Sequence, residues 1–220
     1  MSGPQRIVNI AELAMEDAGN GKSFQAKLGR AGPMLGLKKL GCSLTVVPPG
    51  KRAWPIHRHH VMDELFYIVS GNGKSFKAKV GRVGPMLGLT KLGCSLTIVP
   101  PGKRAWPFHR HHVMDELFYI VSGSGEARLD GRTQPVRAGD LIASPAGAEA
   151  HQIINTGASE LRYLALSDIA TVDIIEYPDS GKVGMAAGVK DGDLKSATYK
   201  AMGRVTPADY FDGEDKSEKS

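Results

Sequence analysis

Residues 102–123 read Gly-Lys-Arg-Ala-Trp-Pro-Phe-His-Arg-His-His-Val-Met-Asp-Glu-Leu-Phe-Tyr-Ile-Val-Ser-Gly. Inside this run His109 and His111 stand two apart, and Glu116 follows five positions after His111. On a β-strand, residues two apart face the same side, so the two imidazoles point together. The step to Glu116 is odd, so the chain must turn or bulge through residues 112–115 for the carboxylate to return from a neighbouring strand. Further on, Gly139 leads to a Pro145-x-Gly147 turn, then His151 and Asn155. His151 opens another strand, and a closed or nearly closed sheet brings it opposite the first pair. Neutral imidazole with carboxylate suits a divalent first-row metal: Mn, Fe, Ni, Cu or Zn. His112 lies on the other face and is expected to be exposed. Surface histidines in a basic loop are the plain alternative, and the second motif, following where it does, weighs against it.

The first motif also occurs upstream, as Gly50, His57, His59, Glu64 and Gly71. Residues 19–70 and 71–122 align without a gap and differ only at Gln25/Lys77, Leu28/Val80, Ala31/Val83, Lys38/Thr90, Val46/Ile98 and Ile56/Phe108. A solenoid needs at least three stacked units, so two near-identical copies read as an internal duplication inside a smaller parent. Gly19-Asn20-Gly21, Gly71-Asn72-Gly73 and Gly123-Ser124-Gly125 put the same turn chemistry at each junction. His151 has no duplicate, so one chain completes one four-residue set. The second copy is contiguous with the strands that follow and is expected to build the barrel. The surplus half is expected to cover it or to mediate a dimer.

Short runs bounded by Gly, Pro, Asn or Ser predict strands over Cys94–Val99, Glu116–Val121, Gly125–Leu129, Asp140–Ser144, His151–Asn155 and Leu161–Leu166. Another is expected near Asp173–Tyr177. Asn9 with Glu12 three residues on has capping-box spacing and predicts a helix over Asn9–Asp17. Pro207–Phe211 is expected to form a helical turn, and the charged end to be disordered.

The two motifs resemble those of the cupin superfamily, over residues 73–167 in full and 21–71 as half a domain. Residues 160–190, with Glu176-Tyr177-Pro178-Asp179, are similar to the tail of some small bacterial cupins. This chain has one extra residue before His109 and another between Gly147 and His151. The resemblance implies an all-β fold, a double-stranded β-helix with a short N-terminal helix and extra strands from the duplicate. It implies a divalent metal ion in the barrel mouth, held by His109, His111, Glu116 and His151, with His57, His59 and Glu64 as a duplicate half-site. The expected organisation is an arm with a short helix (1–20), a duplicated half-segment (21–72), the complete barrel (73–178) and a C-terminal extension (179–220).

Composition narrows the function. The chain has 220 residues, 41% hydrophobic and 23% charged, as in ordinary globular proteins. The pI of about 9.2 follows from duplication. Each copy carries eight basic and two acidic residues, so two copies contribute +12 of a net +5 and the remainder is −7. No basic stripe interleaved with aromatics suggests nucleic acid. Cys42 and Cys94 occupy equivalent places and are expected to be small buried residues without a disulfide. The start lacks a secretory apolar run, so the cytoplasm is the expected address. No nucleophile elbow or phosphate loop is present. The expected function is a small metal-dependent enzyme, of isomerase or oxygenase type, acting on a polar small molecule such as a sugar or sugar phosphate. A non-catalytic ligand-binding or accessory protein is the alternative, and a homodimer is expected. Arg104 and Tyr119 are candidates for the substrate side, although a solvated Arg104 and a packed Tyr119 are the plainer expectation for each. Trp106 and Phe108 are expected to pack over the mouth.

Overall fold

The segment Glu116–Ser122 alternates apolar residues on both of its faces, and the fold follows from burying both. The computed structural model describes residues 5–55, 59–69, 87–190 and 192–212. Its strands are β1 (Ile7–Asn9), β2 (Glu16–Gly19), β3 (Gln25–Arg30), β4 (Ser43–Val46), β5 (Leu92–Val99), β6 (Arg110–His111) and β7 (Glu116–Ser122). They continue as β8 (Ser124–Leu129), β9 (Arg132–Arg137), β10 (Asp140–Ser144), β11 (His151–Ile154), β12 (Leu161–Asp168), β13 (Val172–Tyr177), β14 (Lys182–Ala187) and β15 (Tyr199–Gly203). A short helix, α1, spans Gly32–Leu35.

Strand β7 is central in a sheet of order β1-β10-β7-β12-β5. Phe118 and Ile120 point inward and pack with Val99, Ile142, Leu161 and Tyr163 of the same sheet. Ala127, Leu129, Val136 and Ile153 close this core from a second sheet, β11-β8-β9. A third sheet, β15-β14-β13-β6, lies along the run that carries the histidines. The fold is a nearly all-β double-stranded β-helix, and the strand ladders among the described residues are antiparallel. At the β7–β8 junction Gly123 has φ +86°, and a Cβ there would collide with the Glu160 carbonyl.

Leu117 and Tyr119 face outward, where Val8, Leu141 and Leu164 join them. This second core is closed by the first copy: Ala31 and Leu35 are fully buried in it, and Leu37, Leu40, Cys42, Leu44 and Leu65 pack around them. Strands β5, β6 and β7 come from the second copy, whereas β3, α1 and β4 come from the first. Asp115, fully buried, ties the two together. Its Oδ2 accepts from the Lys38 and Lys39 amides at 2.8 Å each, and its Oδ1 from the Ala146 amide at 2.8 Å. The same clasp recurs one repeat away at a more exposed place, where half-buried Asp63 accepts from the Thr90 and Lys91 amides at 2.7 Å each.

Several local expectations are corrected. The capped helix over Asn9–Asp17 is one 3-10 turn, Ile10–Glu12. Asn9 does cap it, accepting from the Ala11 amide at 3.0 Å, but Glu16–Gly19 pairs with β3 instead. Extending so short a helix costs nucleation entropy that the strand pairing avoids. Pro207–Phe211 is not helical; a turn closes from the Asp212 amide to the Asp209 carbonyl at 3.2 Å. Helix α1 was not anticipated, although Pro33 opens it and Gly36, at φ 68°, ends it. Strand β9 contains Pro135 and sits at a sheet edge, where a missing amide is tolerated. Cys42 and Cys94 are free thiols, and burial pushes Cys42 up to about 11.

Asp115→Ala removes three charge-assisted hydrogen bonds inside the core and should cost about 3 kcal/mol or more in urea unfolding. Asp63→Ala, at the exposed copy of the clasp, should cost far less. Burial opposes ionisation of Asp115, but the Ala146, Lys39 and Lys38 amides outweigh it and hold its carboxyl below the ordinary range. Its contribution is therefore present above the unfolded pKa near 4. It is lost as pH falls through the lower folded value, so the gap between wild type and Asp115→Ala should close in acid.

Candidate metal centre

The odd spacing between His111 and Glu116 is resolved by a turn. Strand β6 ends at His111, residues 112–115 reverse the chain, and β7 begins at Glu116. Asp115 fixes that turn through the bonds above and through its own amide, which donates to Asp168 Oδ1 at 2.6 Å. The Pro145-x-Gly147 turn closes through the Ala148 amide on the Pro145 carbonyl at 3.0 Å. The Gly147 amide donates to the His111 carbonyl at 2.8 Å. His151 then enters β11 beside His109, and their backbones exchange hydrogen bonds at 3.2 and 2.8 Å.

The ligand atoms of His109, His111 and Glu116 all lie within 4.8 Å of one another, a group that could hold a metal ion. His151 adjoins it. Glu116 Oε2 stands 3.8 Å from His109 Nε2, 3.4 Å from His111 Nε2 and 3.0 Å from His151 Nε2. Each imidazole uses its other nitrogen elsewhere. His109 Nδ1 meets the Pro107 carbonyl at 2.7 Å, His151 Nδ1 meets Ser144 Oγ at 2.8 Å, and His111 Nδ1 meets Asp173 Oδ2. A carbonyl and a carboxylate only accept, so His109 and His111 must carry their protons on Nδ1. Their Nε2 lone pairs therefore face a carboxylate oxygen. Glu116 Oε2 and His151 Nε2 are buried without a hydrogen-bond partner. Glu116 Oε2 and His151 Nε2 face each other at 3.0 Å, and a cation among the ring nitrogens and this carboxylate would satisfy them together.

Electrostatics fit the same reading. Burial, and then the neighbouring His151, lower His109 to about 4, so it is neutral at pH 7. Burial would raise Glu116, but His151 beside it and the other two imidazoles lower it to about 2, so it is ionised. Burial also favours neutral His111, yet the Asp173 hydrogen bond and the Glu116 charge outweigh it and raise its pKa.

Other candidates fall elsewhere. Tyr119 lies in the outer core beneath the first copy, away from the histidines. This is the packed placement that sequence reasoning preferred for it over the substrate side. Arg104 is exposed, with its backbone bridged to Ile154. Phe108 is buried under the Arg128 guanidinium at 3.8 Å, whereas Trp106 is exposed. Asn155 is a buried structural residue: its Nδ2 donates to the Val99 and Ser159 carbonyls and its Oδ1 accepts from the Gly157 amide. His112 is turned away toward Glu176, at 3.4 Å. In the first copy, His59 Nε2 and Glu64 Oε2 lie 3.2 Å apart, and His57 is outside the described residues. Asp173, Ser144 and Tyr177, whose ring stacks on His109 with centroids 6.1 Å apart, were missed by sequence reasoning. An acidic residue opening a predicted strand was the only hint of Asp173.

A β-barrel whose mouth gathers histidines and a glutamate defines a class, the small β-helical proteins with an inward-facing metal-type site. Residues 95–167 match the cupin domain family. An oxalate-binding protein of Thermotoga maritima is 37% identical over 68 residues, covering 31% of this chain and 54% of that protein. An uncharacterised protein of Methanocaldococcus jannaschii is 36% identical over 70 residues, covering 32% and 54%. The chain thus spans about half the length of these relatives. Among solved structures, a protein of Acidithiobacillus ferrooxidans provisionally named a sugar phosphate isomerase aligns with TM-score 0.50 and 26% identity, over 59% of this chain and 80% of that one. A sugar phosphate isomerase of the cupin superfamily from Silicibacter pomeroyi aligns with TM-score 0.51 and 23% identity, over 57% and 74%, and shares the fold. Over residues 95–167 the chain is thus similar to the cupin superfamily. Among the described residues no helix is long and apolar enough to cross a membrane.

Both carboxylate and imidazole protonation bear on this cluster, and Glu116→Gln separates them. Removing the negative charge leaves His109 and His111 without the group that favours their charged forms. Proton-exchange titration by NMR should show His111 ionising at lower pH than in the wild type. An unchanged His111 titration would contradict the geometry above.

Proposed function

We propose that His109, His111, Glu116 and His151 together hold one divalent metal ion, Mn, Fe, Ni, Cu or Zn. We further propose that the chain is a small metal-dependent enzyme of isomerase or oxygenase type. Its substrate class is a polar small molecule such as a sugar or sugar phosphate. The observation that carries this is the convergence of Nε2 atoms on buried Glu116 Oε2, with every Nδ1 engaged elsewhere. When bound, such an ion supplies Lewis-acid polarisation of a substrate oxygen, or oxygen chemistry if it is redox-active.

The chain's own residues do the rest. Glu116 holds a full negative charge against burial, which binds a cation and fixes its place. The Pro107 carbonyl and Asp173 keep the proton of each neutral ring on Nδ1, so His109, whose pKa is lowered, offers its lone pair without prior proton loss, whereas His111, whose pKa is raised, gives up its Nε2 proton as a cation binds. Phe118 packs against His151, centroids 5.2 Å apart, and gives the site an apolar wall there. Tyr177 stacks on the His109 ring.

One observation favours a second reading, a non-catalytic binder of a small anion: the Thermotoga relative is an oxalate-binding protein. Calorimetry with oxalate and turnover assays on aldose and ketose phosphates, both on metal-loaded protein, separate the readings. Turnover supports the enzyme. Tight oxalate binding with no turnover supports the binder.

The ligand set has its own test, by elemental analysis of purified variants. His109→Ala with His111→Ala should remove most bound metal, and His151→Ala should also do so, because it has no duplicate. Changing His57 and His59 to Ala should largely spare it. Unchanged metal in His151→Ala would exclude it as a ligand.

Dimerisation is part of the proposal. Val61, Phe66 and Ile68 of the first copy are exposed by 71%, 68% and 60%, whereas Phe118 and Ile120, the second-copy equivalents of Phe66 and Ile68, are buried. A strand-forming apolar segment left exposed invites pairing with another chain. Light scattering should find a dimer in the wild type and a monomer in Phe66→Glu with Ile68→Glu.

A further inference from the structure

The sheet β15-β14-β13-β6 joins the site to a segment beyond the matched domain. Strand β13 pairs with β6 in the register Ile175↔His111 and Glu176↔Arg110. Alternation along β13 sorts its side chains. Asp173, Ile175 and Tyr177 share the face toward the imidazoles, while Val172, Ile174 and Glu176 share the other. Asp173 is 3% exposed, and its Oδ2 bonds His111 Nδ1 while its Oδ1 accepts from the Val113 amide at 3.2 Å. Tyr177 stacks on His109. On the opposite face Glu176 pairs with Arg110 at 2.8 Å and His112 at 3.4 Å, which anchors the strand without touching the cluster.

We propose that Asp173 is the positioning residue of the metal centre: through Nδ1 it fixes both the tautomer and the ring orientation of His111, and so aims Nε2 at Glu116. The C-terminal strand is thereby part of the site, although residues 95–167 alone carry the domain match. Two bonds hold the carboxylate in place, one to the ring and one to the backbone of the turn leading to Glu116. The carboxylate thus orients a nitrogen ligand and steadies the approach of the oxygen ligand in one contact. A buried carboxylate with no ligand role of its own has this use at a histidine-rich site, since an imidazole otherwise rotates and exchanges tautomers. The inference rests on the metal reading only for its consequence; the orientation of His111 exists in the metal-free protein.

The test uses the full chain. In metal-free wild type, side-chain 1H–15N correlation should place the His111 proton on Nδ1. Asp173→Ala should move it toward Nε2, whereas Glu176→Gln, on the other face of the same strand, should leave it unchanged. With cobalt(II) as the probe, Asp173→Ala should weaken binding about 10–100-fold and alter the visible spectrum of the bound ion. Asp173→Asn, which keeps an acceptor but not the charge, should retain the Nδ1 proton and lose less affinity. It also serves if the alanine variant does not fold. An Nδ1 proton retained in Asp173→Ala, with cobalt affinity equal to wild type, would overturn the inference. Wild type that binds no cobalt but shows the tautomer change would instead overturn the metal reading and leave the orientation of His111 standing.

Discussion

Strand β7 is apolar on both faces, and that constraint organises the molecule. A sheet with one such strand at its centre needs two covers. The inner cover is the opposing sheet of the barrel, reached by Phe118 and Ile120. The outer cover is the first copy, with Ala31 and Leu35 buried against Leu117 and Tyr119. Because β7 is held from both sides, Glu116 at its first position is held as well, and the cluster of histidines has a fixed charge around which to gather.

The duplication is therefore used unevenly. The first copy supplies β3, α1 and β4, and the second supplies β5 to β7. The aspartate clasp shows the exchange at the level of single bonds. Asp115 of the second copy holds the Lys38 and Lys39 amides of the first, and Asp63 of the first holds the Thr90 and Lys91 amides of the second. Near-identical sequence, with Lys38 of one clasp replaced by Thr90 in the other, thus gives one buried clasp and one exposed clasp. Burial, set by the neighbours, separates their energetic weight.

The site shows the same dependence on neighbours. Three imidazoles near one carboxylate could be an ordinary ion-pair cluster. The partners of Nδ1 bear on that choice, since a carbonyl on His109 and a carboxylate on His111 place the proton of each neutral ring on Nδ1 and leave Nε2 facing inward. With Glu116 they form a group that could hold a metal ion.

What the sequence determined was local and periodic. Alternation and turn residues marked β5, β7, β8, β10, β11, β12 and β13 to within a few positions, because strand periodicity and glycine or proline punctuation are properties of short stretches. The spacing of His109, His111 and Glu116 demanded a turn at residues 112–115, and the turn is there. The tertiary structure decided what depends on residues far apart in the chain. Residues 16–19 became a strand because β3 was available to pair with them, Tyr119 was buried outside the barrel by the first copy, and Asp173 reached His111 across 62 positions. Side-chain hydrogen bonds of that span leave no periodic trace in a sequence, since only the folded sheet brings the two partners within reach.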